Sequence, residues 1–287
     1  MSDQSLKDPR RFIFHGEAAA FGGRIVRPVD TVLECRASSS LAVTGGRSQA
    51  KVVKPRLGKY VRIAAAASFA EGLFDSLEQT IEVSHGRRSA YGLSSTTRVN
   101  AEVRDLVVGV KPQLTVKRIR GSLTATNPGT TNEPGIKLEA DSVFEKVRIG
   151  GHTLIVEPDT DLFGRYDTRA ALLAASAGPA FGHYLFPTTS TDGRSIAPFA
   201  QLREECGECQ TTFGTIVKPI RWENKPYPGS RIIDGYAVAI PDFGTVFFGE
   251  ILITGRSRRL TMMRLKLGSP VGGDVALCSV QDNGSWS

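Results

Sequence analysis

The sequence predicts a mostly β protein, a large antiparallel β-sandwich or barrel-like fold of about 13–15 strands with one or two short peripheral helices. Three observations lead there. Thirty glycines and fifteen prolines punctuate 287 residues into many short elements. Period-two alternation recurs, as where Val99, Ala101 and Val103 point one way and Arg98, Asn100, Glu102 and Arg104 the other. Finally, Arg231–Val280 consists of four apolar stretches divided by turn residues, the pattern of an antiparallel meander.

Taken in order, Arg11–Phe14 reads as a first strand that ends at His15-Gly16. The alanines and glycines that follow, through Gly23, suggest close backbone approach or a bulge rather than a packed strand centre. Thr31–Cys35, Leu41–Thr44 and Lys51–Lys54 are short strands, with Gly45-Gly46 as a turn and Pro55 as a stop. Tyr60–Ala66 begins with clear alternation. Phe69–Gln79 reads as a helix candidate, because Phe69, Leu73 and Leu77 fall at i, i+4 and i+8, with an extended alternative left open by Gly72 and by Thr80–Val83, which looks like strand.

From Thr97 to Val110 the alternation is that of a half-buried strand, broken at Lys111-Pro112. Leu114–Thr126 starts in phase with Val116 and changes phase at Ile119, which predicts a bulge near Lys117 or Arg118. Asn127–Gly135 is a loop. Ile136–Ile149 is one long strand or a broken pair, and Gly150-Gly151 closes a hairpin into His152–Glu157.

The character changes at Pro158. Asp167-Thr168, an alanine- and leucine-rich run and then Gly178-Pro179 form a capped and terminated helix. Pro198–Glu205 reads as a second short helix. The chain therefore divides into a basic β-rich region (1–157), a helix-containing insertion (158–210) and a β-meander (211–287) that completes the same core.

The net charge of +7 is unevenly placed. Residues 1–125 carry 20 Lys/Arg against 11 Asp/Glu, and Arg24–Arg62 alone holds nine cations against Asp30 and Glu34. That excess suits an anionic ligand or polymer, and it equally suits solvated strand faces. No apolar signal core follows the polar start, and no run approaches the roughly 18 apolar residues of a spanning helix. The expectation is a cytoplasmic protein without membrane insertion. Four cysteines are too few for a disulfide scaffold.

Serine-hydrolase, zincin, P-loop and Rossmann signatures are absent. Cys206-Gly207-Glu208-Cys209 has the spacing to grip one face of a zinc ion, but no second such pair completes a site, so no cofactor is expected beyond that zinc candidate. His15 and Glu17 share a face of an extended segment and form a candidate base with its orienter, or two metal ligands. Asp159, Asp161 and Asp167 have oxygen-ligand potential but lack the calcium-loop spacing. Glu250 follows Val246–Gly249 and precedes Ile251–Ile253 in a strand apolar on both faces. A carboxylate there must be paired or protonated, with Arg264 or Arg259 as the nearest partners. Arg256, Arg258 and Arg259 crowd a tight turn as a candidate anion site.

Three functional classes follow from these features. The first is a structural or assembly protein that meets copies of itself or a protein partner. The second is a binding module for an anionic ligand or polymer. The third is a carboxylate- or histidine-dependent enzyme, a hydrolase, using His15, Glu17 or Glu250. The apolar strands and the missing catalytic signature favour the first.

Overall fold

The computed structural model describes residues 12–83, 86–128, 133–176, 182–186 and 212–286. In chain order, β1 (Phe12–Arg27), β2 (Thr31–Leu33), β3 (Ser38–Ser40) and β4 (Gly46–Val53) open the fold. They are followed by β5 (Val61–Arg62), β6 (Ala65–Val83), β7 (Gly86–Val108) and β8 (Leu114–Pro128). Next come β9 (Gly135–Leu138), β10 (Val143–Glu145), β11 (Val147–Ile149) and β12 (His152–Ile155), then helices α1 (Thr160–Arg165) and α2 (Arg169–Ser176). β13 (Leu185–Phe186), β14 (Thr212–Thr215), β15 (Arg221–Trp222) and β16 (Arg231–Ile233) lead to the meander. That meander is β17 (Ala237–Ile240), β18 (Gly244–Ile253), β19 (Ser257–Leu267) and β20 (Gly272–Trp286). The strands outnumber the sequence expectation because several are pieces of two or three residues.

Two antiparallel sheets form a sandwich. The first runs β13-β14-β18-β19-β20-β1-β2, with β3, β16 and β17 attached; the second runs β15-β12-β11-β8-β7-β6-β4, with β5, β9 and β10 attached. The meander pairs neighbour to neighbour. β20 then pairs with β1 from Phe12↔Trp286 to Arg27↔Gly272, so the two ends of the fold meet in the middle of one sheet. The inner faces supply the core, with Phe14, Phe21, Phe248, Ile119, Leu123 and Leu260 nearly inaccessible. Apolar area removed from water at about 25 cal/mol per Å² is the main force holding the sheets together.

β1 does not end at His15-Gly16. It continues to Arg27, and against expectation its small residues form a packed strand centre, with Ala18 and Ala20 buried between the sheets. Gly16 does serve a close approach, an added Cβ lying 2.9 Å from Leu41. Phe69–Gln79 is not a helix but part of β6. Spacings of four and eight are even, so one face of a strand satisfies them as well as a helix does. Gly72 decides it: an added Cβ would lie 2.6 Å from the Phe14 ring, the sheet-to-sheet contact that a packed strand makes here. Gly150-Gly151 does close a two-residue hairpin, Ile149↔His152, with φ of 55° and 89°. The helix after Asp167 is α2, whose first turn is capped by Thr168 Oγ1 accepting from Ala171 N at 3.1 Å. The helix expected over Pro198–Glu205 lies outside the described residues. Ahead of α2, Asp159 caps α1 by accepting from Leu162 N at 3.0 Å.

β1, β7, β8, β18, β19 and β20 each change their inward face, and these changes align with residues beside the neighbouring strands into a crease across each sheet. In the first sheet it passes Gly249 (φ 63°), Met262, Cys278 (φ 51°), Ala20 and Ala37 (φ 54°). In the second it passes Lys54 (φ 44°), Ala64, Asp105 (φ 50°), Lys117 and Lys146 (φ 52°). The phase change expected near Lys117 is therefore real, but no residue is inserted. Arg104↔Arg118 and Leu106↔Val116 keep one register, because Asp105 changes phase along with its partner strand. Across the core, the Cys278 thiol donates to Ile119 O at 3.4 Å, and burial pushes that thiol well up, so it stays protonated.

Candidate functional site

The outer face of the second sheet carries the densest charge cluster among the described residues. Period two sends Lys51 of β4, Ala65 and Ala67 of β6, Glu102 and Arg104 of β7, and Arg118 and Arg120 of β8 to this face. Register then sets Lys51↔Ala67, Ala67↔Glu102 and Glu102↔Arg120 in one row, with Ala65↔Arg104 and Arg104↔Arg118 in the next. Glu102 is the hub and is only 7% exposed. It accepts from Arg104 Nε, from Arg118 Nη2 at 3.0 Å and from Arg120 Nη1 at 3.2 Å. Burial alone would push its carboxyl up, but the three guanidiniums outweigh it and hold it below the usual range. A second tier continues the lattice, with Arg120 Nη2 on Asp141 at 2.7 Å, Arg118 Nη1 on Glu145 at 3.3 Å and Lys117 on Glu145 at 3.5 Å. Beside the hub, a groove of about 380 Å³ is floored by Ala65 and Ala67 and walled by Lys51, Asn100, Arg104 and Arg120.

The residues singled out from sequence are dispersed. His15 and Glu17 do meet, Nε2 to Oε1 at 3.4 Å, on the exposed outer face of β1. Glu17 borders a second groove of about 340 Å³, lined by Ser38, Ser40, Ser279, Gln281 and Arg259. Glu250 is on the same sheet face, three strand spacings or roughly 14 Å from β1. Its carboxylate is 7% exposed and takes a two-pronged grip from Arg264, Nε at 2.7 Å and Nη2 at 2.6 Å. That guanidinium lies 3.9 Å over the Phe247 ring. Burial, and next the Glu250 charge, push the nearby Tyr236 hydroxyl up to about 12.

The three turn arginines part company because neighbours on a strand face opposite ways. Arg256 is exposed at the turn and Arg259 reaches the serine-lined groove, whereas Arg258 turns inward and is 2% exposed. Its Nη2 donates to Tyr166 O and Asp167 O, both at 2.7 Å, which ties the α1–α2 junction to β19. Burial, opposed by Asp167 and Glu133, lowers its pKa to about 10. Asp159 caps α1 and accepts from Tyr184 OH at 2.7 Å. His152 Nδ1 and His183 Nε2 each lie 2.9 Å from a carbonyl, of Lys225 and Val217 respectively. Cys206, Cys209 and His85 lie outside the described residues. Among those described, no group of three or more His, Cys, Asp or Glu is placed to hold a metal ion. No described helix is long and apolar enough to cross a membrane.

Sequence reasoning missed the Glu102 hub. Its signal was present in the same-face alternation of Glu102 with Arg104 and of Arg118 with Arg120, but which strands stand side by side is a matter of topology. The β6–β7 ribbon was also missed, hidden by the helix reading of Phe69–Gln79. Its pairing runs from Ala65↔Arg104 to Val83↔Gly86, whereas β4 leaves β6 at Gly72 and β8 leaves β7 at Ser94. Beyond those points it is two-stranded among the described residues, over roughly 25 Å.

No curated protein and no solved structure matches the chain. One family model does, over residues 12–177, from the start of β1 past the end of α2. The matched span includes Glu102, its arginines and the ribbon, and it leaves out β20, the long partner of β1. It covers more than half of the sequence, and the chain thus belongs to the family described as a domain of unknown function, DUF8256.

Proposed function

We propose that this protein is a self-associating assembly module that engages a second copy of itself through the β6–β7 ribbon. The observation that carries this reading is the extension of the ribbon past both of its flanking strands. A two-stranded ribbon is at best marginally stable in water. Both its edges present backbone donors and acceptors that no described strand pairs, a template for strand addition from another chain. At its root, Leu73 and Phe74 are 46% and 50% exposed, and Phe74 meets Phe12 and Phe14 edge-on at 6.4 and 4.8 Å. A second copy supplies the missing strand contact and covers these apolar groups.

Light scattering on the full chain, at low and high salt, tests this alongside a variant in which residues 77–92 are replaced by an Asn-Gly turn. The expected result is a salt-independent oligomer for the full chain and a monomer with unchanged melting for the shortened one. A monomeric full chain, or an oligomer that survives the shortening, overturns the proposal.

A further inference from the structure

We infer that the alanine-floored groove beside Glu102 is a binding site for a doubly charged oxyanion group, phosphate or sulfate. The charge balance points there first. Lys51, Arg104, Lys117, Arg118 and Arg120 surround three carboxylates, Glu102, Asp141 and Glu145, leaving two positive charges unmatched. The unspent donors also face the groove. Arg104 gives its Nε to Glu102, and its terminal nitrogens make no hydrogen bond among the described residues, with 60% of the side chain exposed. Lys51 is exposed and makes no ion pair among the described residues, and Asn100 adds a neutral donor on the same wall.

The shape fits as well. Ala65 and Ala67 keep the surface low between β4 and β7, and the two outer strands stand roughly 10 Å apart across β6, enough for one tetrahedral anion held from both sides. Glu102 is a built-in counter-ion: by holding Arg104, Arg118 and Arg120 it removes most of the side-chain freedom that binding would otherwise have to remove. A fork-shaped guanidinium opposite a lysine is a suitable pair of donors for phosphate or sulfate oxygens. This inference does not depend on self-association, since the groove lies away from the two-stranded part of the ribbon.

Titration calorimetry with inorganic phosphate and with inorganic sulfate, at ionic strength held constant with sodium chloride, tests it. Saturable binding is expected for the full chain, weakened by about tenfold or more in Lys51→Gln/Arg104→Gln. Arg104→Lys is expected to fall between, since it keeps the charge and loses the fork. Melting curves establish that the variants are folded, and both substituted side chains are exposed. A polyphosphate arm separates the sources: affinity per phosphate that rises with chain length identifies a polymer, and unchanged affinity a free ion. Absence of saturable binding, or equal binding by the double variant, overturns the site. The ribbon-shortened variant is expected to bind as the full chain does, so failure here is distinct from failure of the assembly proposal.

Discussion

Glu102 and Glu250 are both carboxylates buried on an outer sheet face, and arginine gives each a different role. Glu250 has one partner in a two-pronged pair, whereas Glu102 serves three and sits at the edge of a groove. Because the folded Glu102 carboxyl is held below its unfolded value, its contribution is fully present above the unfolded pKa of about 4.5 and disappears as pH falls through the folded one. Glu102→Gln is therefore expected to lower stability at pH 7, where three arginines lose their common anion, and to flatten the decline between pH 5 and pH 2. Urea unfolding at several pH values measures both, and a variant with the same acid slope as the wild type contradicts this account. Glu250 was readable from sequence because a lone carboxylate in an apolar strand demands a partner. Glu102 was not, since its partners come from its own strand and from one whose adjacency the sequence does not state.

At the scale of elements, the aligned creases explain why burial patterns shift phase in the middle of long strands without any inserted residue. Left-handed residues on alternate strands flip the face, and the partner strand flips with them. Ala, Lys, Asp and Cys at such φ values each cost roughly 1–2 kcal/mol relative to an ordinary strand conformation. Glycine occupies the tightest of these positions. At Gly249 (φ 63°) an added Cβ would lie 2.7 Å from Ile216 and 2.9 Å from Val217. Gly249→Ala is expected to destabilise the fold by about 2–4 kcal/mol, combining left-handed strain with overpacking. Denaturant midpoints check this, and a loss below about 1 kcal/mol refutes the role given to the crease. The phase change at Ile119 was visible in the sequence. Its alignment with the neighbouring strands was not, because it needs the register.

For the whole molecule, closure depends on β1 and β20, which lie at opposite ends of the described chain and pair along almost their full length. The span matched by the family model omits β20 and the rest of the meander. A fragment of residues 12–177 would leave β1 without its longest partner and strip β19 and β20 from the inner faces of β7 and β8, on which they pack. Such a fragment is expected to lack the cooperative unfolding transition and dispersed amide spectrum of the full chain. A fragment that folds cooperatively alone would show that the second half is an addition and not part of one core.

The sequence by itself determined the fold class, the terminal meander, the Gly150-Gly151 hairpin, the capped helix after Asp167 and the need of Glu250 for a cation. Each rests on local periodicity or turn chemistry, or on the cost of burying one charge, all of which act within a few residues. Tertiary structure alone decided that Phe69–Gln79 is strand, because an even spacing satisfies helix and strand alike until Phe14 packs against Gly72. It also sent Arg258 and Arg259 to opposite faces and set Lys51, Glu102 and Arg120 in one row. Those outcomes depend on strand order and register, which are set by how two whole sheets bury their inner faces together.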